Sequence, residues 1–319
     1  MDLIRGLHNI CPRHQGCAAT IGNFDGVHLG HQRVLQMVRD EAEASNVRSC
    51  VISFEPLPAE FFAPADKTPT RLTGLREKYL QIKKQGIDQI LMLPFNRQLA
   101  STDANTFIEN VLINGLAINH LLVGDDFRFG CNRSGDFSLL QSASAVHGFS
   151  IAQSPTHTEA GSRISSTRVR SMLEAGNLDQ SISLLGRQYA ITGRVGYGAQ
   201  KGRTIGFPTA NIVLGDHTPP LRGVFAVTAN TEKEHLPVAG IANLGMKPTV
   251  NGTKLSLEVH LLDYAANLYG EILRVKFFQK LRDEKKFASF DELKQAIAND
   301  EANARKWFAD NPAVLSTDN

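Results

Sequence analysis

The feature that most constrains this chain is a change of periodicity near residue 186. Before it, short apolar runs alternate with stretches of helical spacing. Strands are expected over 18–22, 49–54, 89–93, 119–123 and 149–153, and helices over 29–45, 73–85, 104–115, 136–146 and 167–175. Such alternation builds a parallel sheet flanked by helices. After 186 the helices drop out. In Leu255–Leu261, for example, Leu255, Leu257, Val259 and Leu261 share one face, and Ser256, Glu258 and His260 share the other. Successive strands without intervening helices suggest a small antiparallel barrel. One closing helix is signalled by Ser289-Phe290-Asp291-Glu292, which reads as a capping box, and by Leu293, Ile297 and Trp307 at helical spacing. The expected architecture is α/β plus β, with domains at 1–183 and 184–319.

Composition narrows the partners. A length of 319 residues suits two domains, and an apolar fraction of 42% suits ordinary cores. The 34 basic and 32 acidic residues leave a net charge of +2, too balanced for a chain whose main partner is nucleic acid. No apolar run approaches the ~18 residues that span a bilayer. Met1–Gly6 lacks the apolar core of a signal peptide, and Cys11, Cys17, Cys50 and Cys131 form no C-x-x-C pair. A cytoplasmic chain without a disulfide framework or structural zinc is expected, a monomer or weak homo-oligomer acting on small molecules.

The densest chemistry lies in Gly22-Asn23-Phe24-Asp25-Gly26-Val27-His28-Leu29-Gly30-His31, between the first strand and the first helix. Two imidazoles three residues apart share a helix face. At a helix N-terminus they meet unpaired N–H groups and the positive end of the dipole, a setting for nucleotide phosphates. Positioning and electrostatics suffice for transfer of a nucleotidyl group, so no protein nucleophile is needed. Asp125 and Asp126, with Arg128 after an apolar strand, could bind a ribose or metal, or form a solvated turn. Arg163, Ser165, Ser166 and Thr167 open a helix. Their hydroxyls could cap it, or join the arginines around a triphosphate.

In the second half, Gly193, Gly196, Gly198 and Gly202 recur among cations and could wrap phosphates with backbone N–H groups, although the spacing is not that of a Walker A loop. Thr209 and Asn211 offer hard oxygens that suit Mg²⁺ bound jointly with ATP, or else form a turn. Glu258 is read as a barrel-facing carboxylate, costly unless paired or used. It could be a general base for a substrate hydroxyl, or an ordinary exposed strand glutamate.

Two motif sets carry a resemblance. The H-x-G-H form of His28–His31 resembles the nucleotidyltransferase superfamily. The set G-N-F-D-G-V-H-L-G-H, F-E-P, R-L-T, V-G-D-D-F-R-F-G and I-S-S-T-x-V-R resembles the FMN adenylyltransferase module of prokaryotic FAD synthetases. The blocks G-R-T-I-G-F-P-T-A-N, A-N-L-G-M-K-P-T and L-E-V-H resemble riboflavin kinase, with Met246 where a threonine or serine is common and Leu57 where F-E-P is often followed by a polar residue. The resemblance implies a Rossmann-like nucleotidyltransferase domain followed by a kinase barrel. His28 and His31 would stabilise the phosphate under attack. Gly22, Phe24, Asp25, Gly26, Gly30, Asp126 and the Arg163–Thr167 block would hold ATP. Thr209 and Asn211 would hold Mg²⁺, and Glu258 would deprotonate the ribityl hydroxyl. Arg282, Glu284 and Phe287 would help cover the flavin. Riboflavin, FMN and FAD would be substrate and products. A flavin or nucleotide sensor without catalysis, or an adenylyltransferase for another cofactor precursor, remains the alternative reading.

Overall fold

The computed structural model describes residues 1–64, 67–159, 161–197, 207–215, 217–231, 236–249 and 252–316. The chain divides into two compact units, one of residues 1–69 and 78–165, the other of residues 70–77 and 166–319.

The first unit holds a six-stranded sheet. Its strands are β1 (Asp2–Arg5), β2 (Ala18–Ile21), β3 (Ser49–Glu55), β4 (Gln89–Pro94), β5 (His120–Gly124) and β6 (Ser150–Ser154). They lie side by side in the order β1-β4-β3-β2-β5-β6, every pair parallel. β2 and β3 are buried for most of their length, as parallel strands covered on both faces must be. On one face of the sheet Ala19, Ile21, Cys50, Ile52, Leu91, Leu93, Leu121 and Val123 pack with Phe107, Val111, Leu112 and Leu140 into one core. Helices α1 (Leu29–Ala44), α2 (Pro58–Phe62), α3 (Leu75–Lys84, which begins at the end of the 70–77 segment), α4 (Arg97–Ser101), α5 (Ala104–Phe107) and α6 (Phe137–His147) fill the connections. The helix expected over 104–115 starts as α, then widens to a π-helical run over Ile108–Ile113. β1 was not anticipated. Strand order reverses beside β2, whose neighbours are β3 and β5, and open α/β sheets place ligands at such a switch point.

In the second unit α7 (Ser166–Glu174) and α8 (Leu178–Leu185) pack together and precede the barrel. Strands β7 (Thr158–Glu159) and β8 (Ser162–Arg163) form a small hairpin in the first unit, and β9 (Ala190–Gly196), β10 (Ala210–Val213), β11 (Gly223–Thr231), β12 (Val238–Thr249), β13 (Gly252–Leu261) and β14 (Ile272–Arg282) close in the order β10-β13-β12-β11-β14-β9, all antiparallel. Phe225, Val227, Leu257, Val259, Val275 and Phe277 fill its interior. Each such fully buried side chain contributes about 1.5–3 kcal/mol of hydrophobic stabilisation. The C-terminal helix α9 (Phe290–Asp310) lays Ala304 and Phe308 against Val224, Ala226 and Ile241 on the barrel's outside. Ser289 caps α9 as expected, accepting from the Glu292 N–H, but the Glu292 carboxylate accepts from the Ala288 N–H, one residue before the cap.

Residues 70–77 are stitched into this second unit. The Arg71 N–H donates to Thr218 O at 2.8 Å, and the buried Glu77 carboxylate meets Arg274 at 3.0 Å and the Thr192 hydroxyl at 2.7 Å. Among the described residues no helix is long and apolar enough to cross a membrane.

Candidate functional site

In the first unit the chain leaves β2 through a strained turn. Phe24 and Val27 sit at φ 46° and 42°, with Gly26 at 84°. A β-branched residue at positive φ is costly and persists only where its surroundings hold it. Phe24, Asp25, Gly26 and Val27 are all buried. The turn delivers His28 to the N-cap of α1. There its Nδ1 accepts the His31 backbone N–H at 3.2 Å, satisfying one of the donors a helix start leaves unpaired. The two imidazoles stack, with ring centroids 3.6 Å apart and planes within 15°, and Phe24 packs on His31 at 5.1 Å. Gly30 leaves no side chain between them: a Cβ there would lie 3.2 Å from the His28 ring and 3.6 Å from Ile164 O. Gly22 likewise faces the Phe24 ring, 3.1 Å from where a Cβ would be.

That last contact of Gly30 brings the Arg163–Ser165 end of the first unit beside the imidazole pair. Arg163 is ion-paired to Asp126 at 2.9 Å and Asp125 at 3.5 Å, and its hydrogen bond to Asp126 holds its pKa above the ordinary value. Asp125 also accepts from the Thr156 hydroxyl. Ser166 and Thr167 open α7 in the second unit.

Two features of this end were not singled out in the sequence. Phe54, Phe61, Phe62 and Phe95 form an edge-to-face cluster at the carboxyl ends of β3 and β4, and Phe62 is 67% exposed. Lys78 is fully buried with its amine 3.5 Å from the Ser53 hydroxyl, which itself donates to Asn23 O in the strained turn. The cluster had a signal, the F-E-P block followed closely by Phe61-Phe62. Lys78 had none beyond its helical position.

In the second unit the register sets the site. Asn211 lies opposite Glu258, and Glu258 lies opposite Asn243, which in turn faces Val224. Residues paired across strands project to the same face, and Val224 is packed against α9 outside the barrel. The row therefore runs over the outer surface. This corrects the reading of Glu258 as barrel-facing: Leu257 and Val259 take the interior, so residue 258 must point away. Its side chain is nonetheless only 17% exposed and is ion-paired to Lys247.

Thr209, two residues before Asn211 on the same side of the chain, lines a cavity of about 610 Å³ with Val195, Leu261, Tyr264, Leu268 and Tyr269 among its walls. The threonine hydroxyl and asparagine amide oxygen fit a magnesium ion carried on phosphates, which prefers such hard donors and few protein ligands. Among the described residues no cluster of three His, Cys, Asp or Glu side chains could hold a metal.

Gly193 is buried in β9, where a Cβ would lie 2.6 Å from Ile212 and 2.7 Å from Val213 O, so close strand packing accounts for it. Gly196 faces Asn211, and Gly198 and Gly202 lie outside the described residues. Arg282 ends β14 and is engaged by Asp300 of α9 through bonds of 2.8–3.1 Å, its guanidinium 5.5 Å over the Phe287 ring. Glu284 accepts from the Met246 N–H at 3.4 Å.

Comparison with known proteins finds a family match in each half of the chain. The FAD synthetase family matches residues 11–168 and the riboflavin kinase family residues 185–308. The bifunctional riboflavin kinase/FMN adenylyltransferase of Escherichia coli K12 is 49% identical over 309 residues, covering 97% of this chain and 98% of that protein. Those of Pseudomonas fluorescens and Haemophilus influenzae are 48% and 44% identical, each over 97% of this chain and 98% and 99% of theirs. A crystal structure of a Streptococcus pneumoniae protein described as a macrolide-efflux protein superposes with a TM-score of 0.79 at 27% identity, over 96% of this chain and all of that one. With half its residues identical along nearly its whole length, the chain belongs to the bifunctional riboflavin kinase/FMN adenylyltransferase family.

Proposed function

We propose that this chain makes FAD from riboflavin in two ATP-dependent steps, in a module of residues 1–183 that adenylylates FMN and a module of residues 184–319 that phosphorylates riboflavin. The stacked His28–His31 pair at the N-terminus of α1 carries the reading. It sets two imidazoles at the positive end of a helix dipole, where negative charge builds on a phosphate under attack. FMN phosphate attacks the α-phosphorus of ATP, pyrophosphate leaves, and the imidazoles stabilise the charge. Gly22, Phe24, Asp25, Gly26 and Gly30 shape the ATP pocket, with Asp126, Arg163, Ser165, Ser166 and Thr167 serving the same nucleotide. The exposed Phe62, set edge-to-face against Phe61 and Phe95, offers an apolar ring for the flavin.

In the kinase step Glu258 takes the proton of the ribityl hydroxyl as its oxygen attacks the γ-phosphorus of ATP, the bond from that phosphorus to the β-phosphate oxygen breaks, and ADP leaves. Its pairing with Lys247 and the strand-pair position of Asn211 support that role. Thr209 and Asn211 hold Mg²⁺, which neutralises phosphate charge when bound. Gly196, Gly198 and Gly202 line the phosphates, Gly193 serving the barrel wall first. Arg282, Glu284 and Phe287 border the flavin. The enzyme works in the cytoplasm on small molecules, as a monomer or weak homo-oligomer; its near-neutral charge supports the absence of a nucleic-acid partner.

Incubation with riboflavin, ATP and Mg²⁺, followed by chromatography of the yellow products, tests the reading. FMN should rise first and FAD after it. Unchanged riboflavin would overturn it.

A further inference from the structure

The two reactions leave the cysteines unused, and one of them has an acid–base group against its sulfur. Cys17 and Cys50 are fully buried, and the hydrogen bond with Cys17 together with burial pushes the Cys50 thiol well up. Cys131 is half-buried, and among the described residues only its backbone is hydrogen-bonded. Cys11 is half-buried too, but its Sγ lies 3.4 Å from Nδ1 and 3.8 Å from Nε2 of His14. The backbone builds this pair. Cys11 precedes a single 3-10 turn, Pro12–His14, and the two residues cap it reciprocally: the Cys11 side chain accepts the His14 N–H, and His14 Nδ1 accepts the Cys11 N–H at 3.2 Å. The His14 carbonyl accepts from the buried Gln89 side chain at 2.8 Å, and the ring itself is only 4% exposed. Sulfur and imidazole are therefore held together on a fixed backbone at the amino ends of β1 and β4, the end of the parallel sheet opposite the His28 turn.

The charged groups around the ring suit it to act as a base. Asp2 sets its carboxylate 3.6 Å from Nε2, and Arg48 pairs with Asp2 at 3.0 Å. Arg13 brings its Nε to 3.3 Å from Nε2 on a side chain that is 71% exposed, and it turns to water when Nε2 carries a proton. Burial lowers the His14 pKa below its ordinary value, Arg13 and Arg48 lower it further, and Asp2 opposes them, so the ring is neutral at pH 7. We propose that Cys11 is a site of thiol–disulfide exchange, with His14 as its base and a small, freely diffusing disulfide as its reactant. The Nδ1 lone pair offered to the Cys11 N–H is the one that takes the thiol proton. The Cys11 sulfur then attacks one sulfur of the disulfide, a new S–S bond forms as the old one breaks, and the leaving thiolate takes the proton back from Nδ1. The chain keeps a mixed disulfide and one molecule of free thiol is released.

The test incubates the full-length protein with oxidised glutathione and follows the mixed disulfide at each cysteine by mass spectrometry of quenched samples. At pH 7 Cys11 should react roughly tenfold faster than Cys131, the other half-buried thiol. An unassisted thiol gains about tenfold in rate per pH unit below about pH 8.5, because only its thiolate attacks. Cys11 should gain less than about threefold per unit between about pH 6.5 and 8, since its base is already neutral there. His14→Asn should slow Cys11 about tenfold and restore the steep pH dependence, while the Cys131 rate and adenylylation of supplied FMN stay at wild-type values. Cys11 reacting no faster than Cys131, or climbing tenfold per pH unit in the wild-type chain, would overturn the proposal. So would a folded His14→Asn variant whose Cys11 reacts at the wild-type rate. If His14→Asn changes the Cys131 rate as well, the substitution has damaged the fold, and the wild-type pH profile decides by itself.

Discussion

Gly30→Ala separates chemistry from stability. Gly30 is the second residue of α1, and the new methyl would stand 3.2 Å from both Cε1 and Nδ1 of His28. Carbon contacts are comfortable at about 3.5–4 Å, so the imidazole must retreat by about 0.3–0.5 Å. It has little room to do so. Its ring is stacked on His31 at 3.6 Å and its Nδ1 holds the His31 N–H at 3.2 Å, so any retreat loosens the stack or the cap. Misplacement of a reacting group by about 1 Å costs roughly a hundredfold, and a shift of this size should cost about tenfold in kcat for FAD formation from supplied FMN. Alanine meanwhile favours a helix over glycine by up to about 1 kcal/mol, so the melting temperature should hold or rise. FMN formation from riboflavin in the same sample is the internal control. Wild-type adenylylation would refute the view that His28 must sit where it does. A fall in both activities with a lower melting temperature would show that the substitution damages the fold instead.

Asp300→Ala strips the buried partner from Arg282. The cost should be about 2 kcal/mol in urea denaturation, below the 3–5 kcal/mol of a fully buried pair because the Arg282 side chain keeps 27% exposure, and the KM for riboflavin should rise as Arg282 and Phe287 lose their anchor. Glu258→Gln should abolish riboflavin phosphorylation while adenylylation of supplied FMN continues; kinase turnover at the wild-type rate would remove Glu258 as the base. Burial lowers the pKa of His120 below the ordinary 6.5, with Glu41 opposing weakly, and desolvation lowers that of His14 likewise. The unfolded chain then binds more protons than the folded one below pH 6.5, so stability is complete above that value and lost on acidification; His120→Asn should flatten the loss measured by chemical denaturation across that window.

The central strands of the sheet were legible because each is an apolar run bounded by helical spacing, and parallel strands covered on both faces leave no other pattern. β1 escaped because Asp2–Arg5 is short and charged at both ends, yet four residues suffice to pair with β4 at an edge. The α9 stripe was read from Leu293, Ile297 and Trp307, but its buried face runs through Asp300, a residue that only the reach of Arg282 makes tolerable there. The spacing of His28 and His31 pointed to one helix start, but their stacking was not legible, because it comes from His28 capping α1 from an extended backbone outside the helix. The Asn211–Glu258–Asn243 row was not legible either, because cross-strand register depends on turns far from those residues.

The central claim, two independent ATP sites acting in series, is tested most directly by the product mixture from riboflavin, ATP and Mg²⁺ with a folded His31→Ala variant. FMN should accumulate at the wild-type rate with no FAD formed. Equal loss of both products would contradict it.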